Sequence, residues 1–159
     1  MPDLAADRDV TARTARILAA FADVEAPLIE ILHAVQTEFG RVPDGALRQI
    51  AEALNLSRAE VHGVFTFYHD FRSEPRGRHT LRICRAEACQ SMGANTNVER
   101  AAAALGIGID ETASDGSTTL ESVYCLGLCA LAPAVMLDGQ VFGRVDSDTL
   151  DRLVAEAQQ

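Results

Sequence analysis

Apolar residues in the first half of the chain return every three or four positions, the spacing that lines one face of a helix. Leu28, Ile31, Leu32 and Val35 form one such stripe, Leu47, Ile50, Ala51 and Leu54 a second, and Val61, Val64, Phe65 and Tyr68 a third. An alanine-rich stretch from Thr11 to Ala22 predicts a further helix ahead of them. Gly40 can stop the first striped helix, with Pro43 just beyond it. Ser57 can cap the third, and Glu60 three residues later completes a capping box. These signals predict a helical bundle over residues 1–77, closed by the turn-forming segment Ser73-Glu-Pro-Arg-Gly77.

From residue 78 the period changes. His79-Thr-Leu-Arg-Ile-Cys84 alternates polar and apolar, as a half-buried strand does. Val98, Ala101, Ala102 and Leu105 make a helical stripe that ends at Gly106, and Ser117 to Tyr124 reads as a second strand. Ala134 to Leu137 and Gln140 to Phe142 flank Asp138-Gly139, a strong two-residue hairpin signal. Asp146 to Asp148 can cap a last helix with Leu150, Leu153, Val154 and Ala157 on one face. The order β-α-β-β-β-α over residues 78–159 predicts a reduced thioredoxin-like layer, a sheet with helices packed on it. The fold class is therefore α/β, with the helical bundle leading into that layer.

Composition narrows the function classes. At 159 residues and 48% apolar content the chain can bury a core, so global disorder is excluded. No apolar run approaches the ~20 residues of a membrane span, which predicts no direct membrane insertion. The opening Met1-Pro-Asp-Leu-Ala-Ala lacks the basic-then-apolar pattern of a secretory signal. A cytoplasmic location with reduced thiols is the expectation. The net charge is −9, and every basic residue is arginine. Such a balance repels phosphate backbones and argues against a nucleic-acid partner.

The chemistry is concentrated in the four cysteines. Cys84 and Cys89 enclose four residues, Cys125 and Cys129 enclose three, and each pair lies at or just past a predicted strand end. Four soft thiolates in two short loops can close around iron–sulfur or zinc, and not around magnesium or calcium. Zinc ribbons favour tighter knuckles than Cys84-x4-Cys89, and neither pair has the C-x-x-C spacing of a thioredoxin redox motif. On spacing alone a [2Fe–2S] centre and a zinc-stabilised scaffold both stand. His33, His62, His69 and His79 all precede the first cysteine at a distance, which argues against a Rieske-type site and for ordinary structural histidines. All-cysteine ligation would give a [2Fe–2S] centre a formal charge of about −2, and about −3 on reduction. Gly93 and Gly127 could let N–H groups approach sulfur, and Arg85 beside Cys84 could offset charge. No catalytic set accompanies the cysteines. Gly106-Ile-Gly108 lacks the third glycine of a dinucleotide fingerprint, and Asp110, Glu111 and Asp115 read as a solvated loop.

Several stretches resemble a known family. Leu32-His-Ala-Val-Gln36, Gly40-Arg-Val-Pro43, Val61-His-Gly-Val64 and Thr66-Phe-Tyr68 are similar to the helical part of the 24-kDa-type subunit of NADH dehydrogenase. Cys84-x4-Cys89, Thr118-Thr-Leu120, Cys125-Leu-Gly-Leu-Cys129 and Ala132-Pro-Ala-Val135 are similar to its thioredoxin-like [2Fe–2S] ferredoxin domain, and the likeness spans residues 25–157. The resemblance implies one [2Fe–2S] cluster with Cys84, Cys89, Cys125 and Cys129 as ligands. It also implies an electron-transfer subunit that is non-catalytic alone and docks on a beta-type partner binding FMN and NADH. The same module serves respiratory NADH dehydrogenase, NAD-reducing hydrogenase and NAD-dependent molybdenum formate dehydrogenase. Cys84-Arg-Ala-Glu-Ala-Cys89-Gln-Ser-Met-Gly93 looks more like the gamma subunit of formate dehydrogenase, which implies a molybdopterin-containing large subunit as a further partner. In thioredoxin-like folds a cis proline often opens the strand facing the redox loop. Ala132-Pro133 stands at that place, and an X–Pro bond has only a modest trans preference to overcome.

Overall fold

The computed structural model describes residues 4–159. The first three residues, which open the stretch inspected for a secretory signal, lie outside them. The chain divides into two compact units, the first reaching Pro75 and the second spanning Arg76–Gln159.

The first unit contains four helices: α1 (Leu4–Ala20), α2 (Leu28–Phe39), α3 (Asp44–Ala53) and α4 (Arg58–Phe67). Their stripes meet in one core of Ile31, Leu32, Val35, Val42, Ala46, Leu47, Ile50, Ala51, Val61 and Phe71. The stops act as local chemistry requires. Gly40 takes a left-handed φ of 70° after α2, and Ser57 and Glu60 form both halves of a capping box at α4. Tyr68 falls just outside α4, as its C-cap. Gln36 ties the chain after α4 to α2: its amide donates to the Asp70 carbonyl and accepts from the Arg72 N–H, each at 2.8 Å.

The second unit is a five-stranded mixed sheet with helices against it. Its strands are β1 (His79–Cys84), β2 (Glu111–Thr112), β3 (Thr118–Val123), β4 (Val135–Leu137) and β5 (Gln140–Phe142), in the order β2-β3-β1-β4-β5. β1 and β3 run parallel, with Leu81 opposite Leu120, and the other neighbours are antiparallel. A short helix, α5 (Glu87–Ser91), follows β1, and two longer ones, α6 (Ala94–Leu105) and α7 (Ser147–Ala157), complete the unit. Leu81, Ile83, Leu120, Val135 and Leu137 face a core shared with Val98 and Ala101 of α6 and Leu150, Leu153, Val154 and Ala157 of α7. Because strand side chains alternate between faces, Arg82 lies on the opposite one. There Glu121 accepts from the Nε of both Arg76 and Arg82 at 2.8 Å. Gly77 enters β1 so close to β3 that a Cβ would stand 2.9 Å from the Ser117 carbonyl oxygen.

Three elements depart from the sequence expectation. The acidic loop contains β2, the segment around Cys89 forms α5, and a 3-10 turn spans Cys129–Leu131. Each is five residues or fewer, too short for periodicity to register. Among the described residues no helix is long and apolar enough to cross a membrane.

Candidate metal centre

All four cysteines lie in the second unit. Cys84 ends β1, Cys89 sits within α5, Cys125 follows β3 after Tyr124, and Cys129 opens the 3-10 turn. None is in a disulfide. The pairs differ in surroundings. Cys84 and Cys89 are each 2% exposed and pack with Ala94 and Ala134 inside a rim of Val123, Leu126 and Leu128. Cys125 and Cys129 are exposed, with their sulfurs 3.9 Å apart.

The sheet holds these loops in place. The Cys84 N–H donates to the Ala134 carbonyl at 3.0 Å and the Arg85 N–H to that of Val123 at 2.8 Å, so both cysteine loops start from paired backbone. The Gln90 amide returns to the Arg85 carbonyl at 2.7 Å and closes the first loop. The second loop is pinned further along, where Arg144 N–H meets the Leu131 carbonyl at 2.6 Å and Val145 N–H that of Pro133 at 3.0 Å. Gly143 makes this approach possible, because a Cβ there would lie 2.7 Å from the Leu131 Cβ. The Ala132–Pro133 peptide bond is cis, the isomer that thioredoxin-like folds often place there. Cys125 itself takes a φ of 115°, a region that residues with a side chain rarely occupy.

Backbone donors converge on sulfur. Burial pushes the Cys84 thiol up, but N–H groups of Ala86, Leu126 and Cys125 and the Cys89 thiol outweigh it and hold its pKa below the ordinary value. Cys89 goes the other way. Burial and the neighbouring Cys84 raise it, against one N–H from Ala134. Cys129 is raised by its hydrogen bond with Cys125, by that neighbour's charge and by burial. The Gly127 N–H points at the Cys125 sulfur at 3.4 Å, with Gly127 at a left-handed φ of 76°. Gly93 does not serve this way. Its N–H bonds the Gln90 carbonyl, and its φ of 91° starts α6.

The sulfurs are grouped as two pairs, and among the described residues no three His, Cys, Asp or Glu side chains gather closely enough to hold one metal ion. The donor set fits a binuclear iron–sulfur group. Such a group takes four protein thiolates, two on each iron, and N–H groups aimed at sulfur disperse its negative charge. The histidines are engaged elsewhere: His79 bonds Asp138 at 2.7 Å, and His33 packs against Phe71 with ring centroids 4.8 Å apart. The donors from Ala86, Leu126 and Ala134 carried no sequence signal, because any residue except proline offers an N–H.

The second unit is thus a thioredoxin-like sheet that presents four free thiols from paired loops, with backbone N–H groups turned toward them. The chain belongs to the thioredoxin-like [2Fe–2S] ferredoxin family, whose model matches residues 14–158. Its cofactor is a [2Fe–2S] cluster, and the zinc alternative falls with that membership. An NADH-quinone oxidoreductase subunit from Pseudomonas aeruginosa is 40% identical over 134 residues, 84% of this chain and 81% of the relative. The NADP-reducing hydrogenase subunit HndA of Solidesulfovibrio fructosivorans is 33% identical over 132 residues, 83% of this chain and 77% of the relative. Among solved structures, an NAD+-reducing [NiFe]-hydrogenase in the air-oxidised state superposes with a TM-score of 0.70 at 23% identity, covering 83% of this chain and 23% of that one. That likeness supports the fold. The resemblance to a formate dehydrogenase gamma subunit has no counterpart in these three.

Proposed function

We propose that this chain is the one-electron carrier of an NAD(P)-linked oxidoreductase complex, with Cys84, Cys89, Cys125 and Cys129 as the ligands of its [2Fe–2S] cluster. The observation that carries the proposal is the pairing of thiols in two sheet-anchored loops of a family defined by this cofactor. Cys84 and Cys89 would take the inner iron and Cys125 and Cys129 the outer one. When bound, the group supplies a single electron per cycle, and the protein's part is to hold, shield and present it. The apolar rim excludes water from the inner pair. The N–H groups of Ala86, Leu126, Ala134 and Gly127 stabilise negative sulfur without bringing in a proton.

Hydride from a nicotinamide brings two electrons, so a flavin must divide them before they reach such a carrier. The partner is accordingly a flavoprotein that binds the nicotinamide. Tyr124 to Leu137 carries no charged side chain, and Tyr124 at 71% and Met92 at 61% exposure flank the cysteine loops with large apolar surface. This is the side on which we expect the flavoprotein to dock, in the cytoplasm, where thiols stay reduced.

The names of the relatives favour a complex of the NADH dehydrogenase or NAD(P)-linked hydrogenase type. The formate dehydrogenase reading, with its molybdopterin-containing large subunit, keeps one specific support in the filler Arg85-Ala-Glu-Ala88 between the first cysteines. Tagging this chain in its own host and identifying what co-purifies separates the two. Quinone-reductase or hydrogenase subunits beside a flavoprotein support the first, and a molybdopterin protein with formate-driven NAD reduction the second. Recovery without any flavoprotein, under conditions that keep the complex intact, overturns both.

A further inference from the structure

The two thiol pairs differ in what can reach them. Cys84 and Cys89 are each 2% exposed, so a soluble oxidant is kept from their sulfurs. Cys125 and Cys129 are exposed, and their sulfurs stand 3.9 Å apart. A disulfide bond measures about 2.05 Å, so the outer sulfurs need to approach by roughly 2 Å to form one. The segment between them can yield that much. No helix or strand spans residues 124–128, and Gly127 at its middle has no atom within 4 Å of a Cβ position. Both ends of the segment are held. The Arg85 N–H bonds the Val123 carbonyl and the Leu131 N–H the Leu128 carbonyl, each at 2.8 Å, which keeps the two cysteines together. An exposed thiol with a second thiol beside it is where oxidation concentrates.

We propose that in the cluster-free chain Cys125 and Cys129 are closed into a disulfide by a low-molecular-weight disulfide, and that this closure withholds the outer pair from iron. The closure follows from the sulfur geometry, and its effect on iron rests on the reading of the outer pair as ligands. One outer thiolate attacks a sulfur of the small disulfide, forms a mixed disulfide and releases one small thiol. The second outer thiolate then attacks the protein sulfur of that mixed disulfide, forms the Cys125–Cys129 bond and expels the second small thiol. Two protein thiols lose two electrons and two protons, and one small disulfide takes them up as two thiols. The second attack is intramolecular, so it outruns capture by another molecule. A disulfide has no thiolate to give iron. An exposed disulfide is also the readily reducible kind, so a dithiol reductant reopens the site.

The test uses the full-length chain, stripped of iron under reducing conditions and desalted anaerobically. It is treated with oxidised glutathione, alkylated after unfolding, digested and mapped by mass spectrometry. We expect a Cys125–Cys129 disulfide as the main product, with Cys84 and Cys89 recovered as alkylated thiols. Cys129→Ser should instead keep one glutathione on Cys125. In thiol-free transfer from a [2Fe–2S]-loaded scaffold protein, the oxidised chain should lose most of the uptake shown by the reduced chain, and dithiothreitol should restore it. A persistent glutathione adduct on the wild-type outer pair, a Cys84–Cys89 bond, or outer thiols left unreacted overturns the proposal. Equal uptake by the oxidised and reduced chains overturns the withholding of iron. A reduced chain that accepts no cluster refutes the ligand reading instead and leaves the mapped disulfide standing, so the two failures are distinguishable.

Discussion

Gly127 and Gly143 both serve the second cysteine loop, yet the physical demand on each is different. At Gly127 a Cβ would meet nothing within 4 Å, so only the left-handed φ resists substitution. At Gly143 the Cβ would collide with Leu131, behind the turn that carries Cys129. Gly127→Ala should therefore cost about 1–2 kcal/mol, the backbone penalty alone. Gly143→Ala should cost about 1–3 kcal/mol in overpacking and displace the Cys129 turn as well. The readout that separates them is iron release to a chelator, which should be faster in Gly143→Ala than in Gly127→Ala. Equal rates would remove Gly143 from the support of the site. His62→Ala should leave iron release unchanged, since His62 lies in the other unit, on the surface of α4. At this scale the sequence showed the four thiols and the N–H of Gly127, which needs a residue able to turn left-handed. It did not show which thiols are buried, because burial depends on Ala94 and Ala134 arriving from elsewhere in the fold.

Among the elements, β1 and β3 carry both cysteine loops, and Glu121 joins the outer face of the two strands. Its side chain is 11% exposed. Burial raises its pKa, but Arg76 and Arg82 overcome that and leave it below the ordinary 4.5. A carboxylate with a depressed folded pKa contributes stability above its unfolded pKa and loses it as pH falls through the folded one. Glu121→Gln should therefore lower stability at pH 7 by about 1–3 kcal/mol. The gap between wild type and variant should narrow as the pH falls below about 4.5. Urea midpoints of wild type and variant, both prepared without the cluster because acid releases its sulfide, check this, and a gap that stays constant from pH 7 to pH 3 would contradict it. The longer helices and strands were legible because their apolar periods run over two or more turns or alternate over six residues. The strand β2 was not, since it rests on an edge pairing, with Asp110 N–H bonded to the Leu120 carbonyl at 2.7 Å and the Thr112 and Thr119 hydroxyls 2.8 Å apart. Polar residues at an edge satisfy the ladder without any hydrophobic pattern.

At the scale of the whole molecule, the proposed role is to carry electrons for a partner that does the bond chemistry. Because a hydride brings two electrons and the proposed centre takes one, the isolated chain should accept an electron from dithionite but neither oxidise NADH or formate nor reduce NAD. Addition of the flavoprotein should let NADH reduce the cluster, observed as bleaching of its visible absorption. Sustained NADH or formate turnover by the flavin-free chain would contradict a non-catalytic role. The central claim, one [2Fe–2S] group on four cysteines, is tested most directly by iron and acid-labile sulfide analysis of anaerobically purified protein. It predicts about two irons and two sulfides per wild-type chain, with most of both lost in Cys125→Ala. Stoichiometric zinc without sulfide in the wild type, or full iron retention in Cys125→Ala, would contradict it.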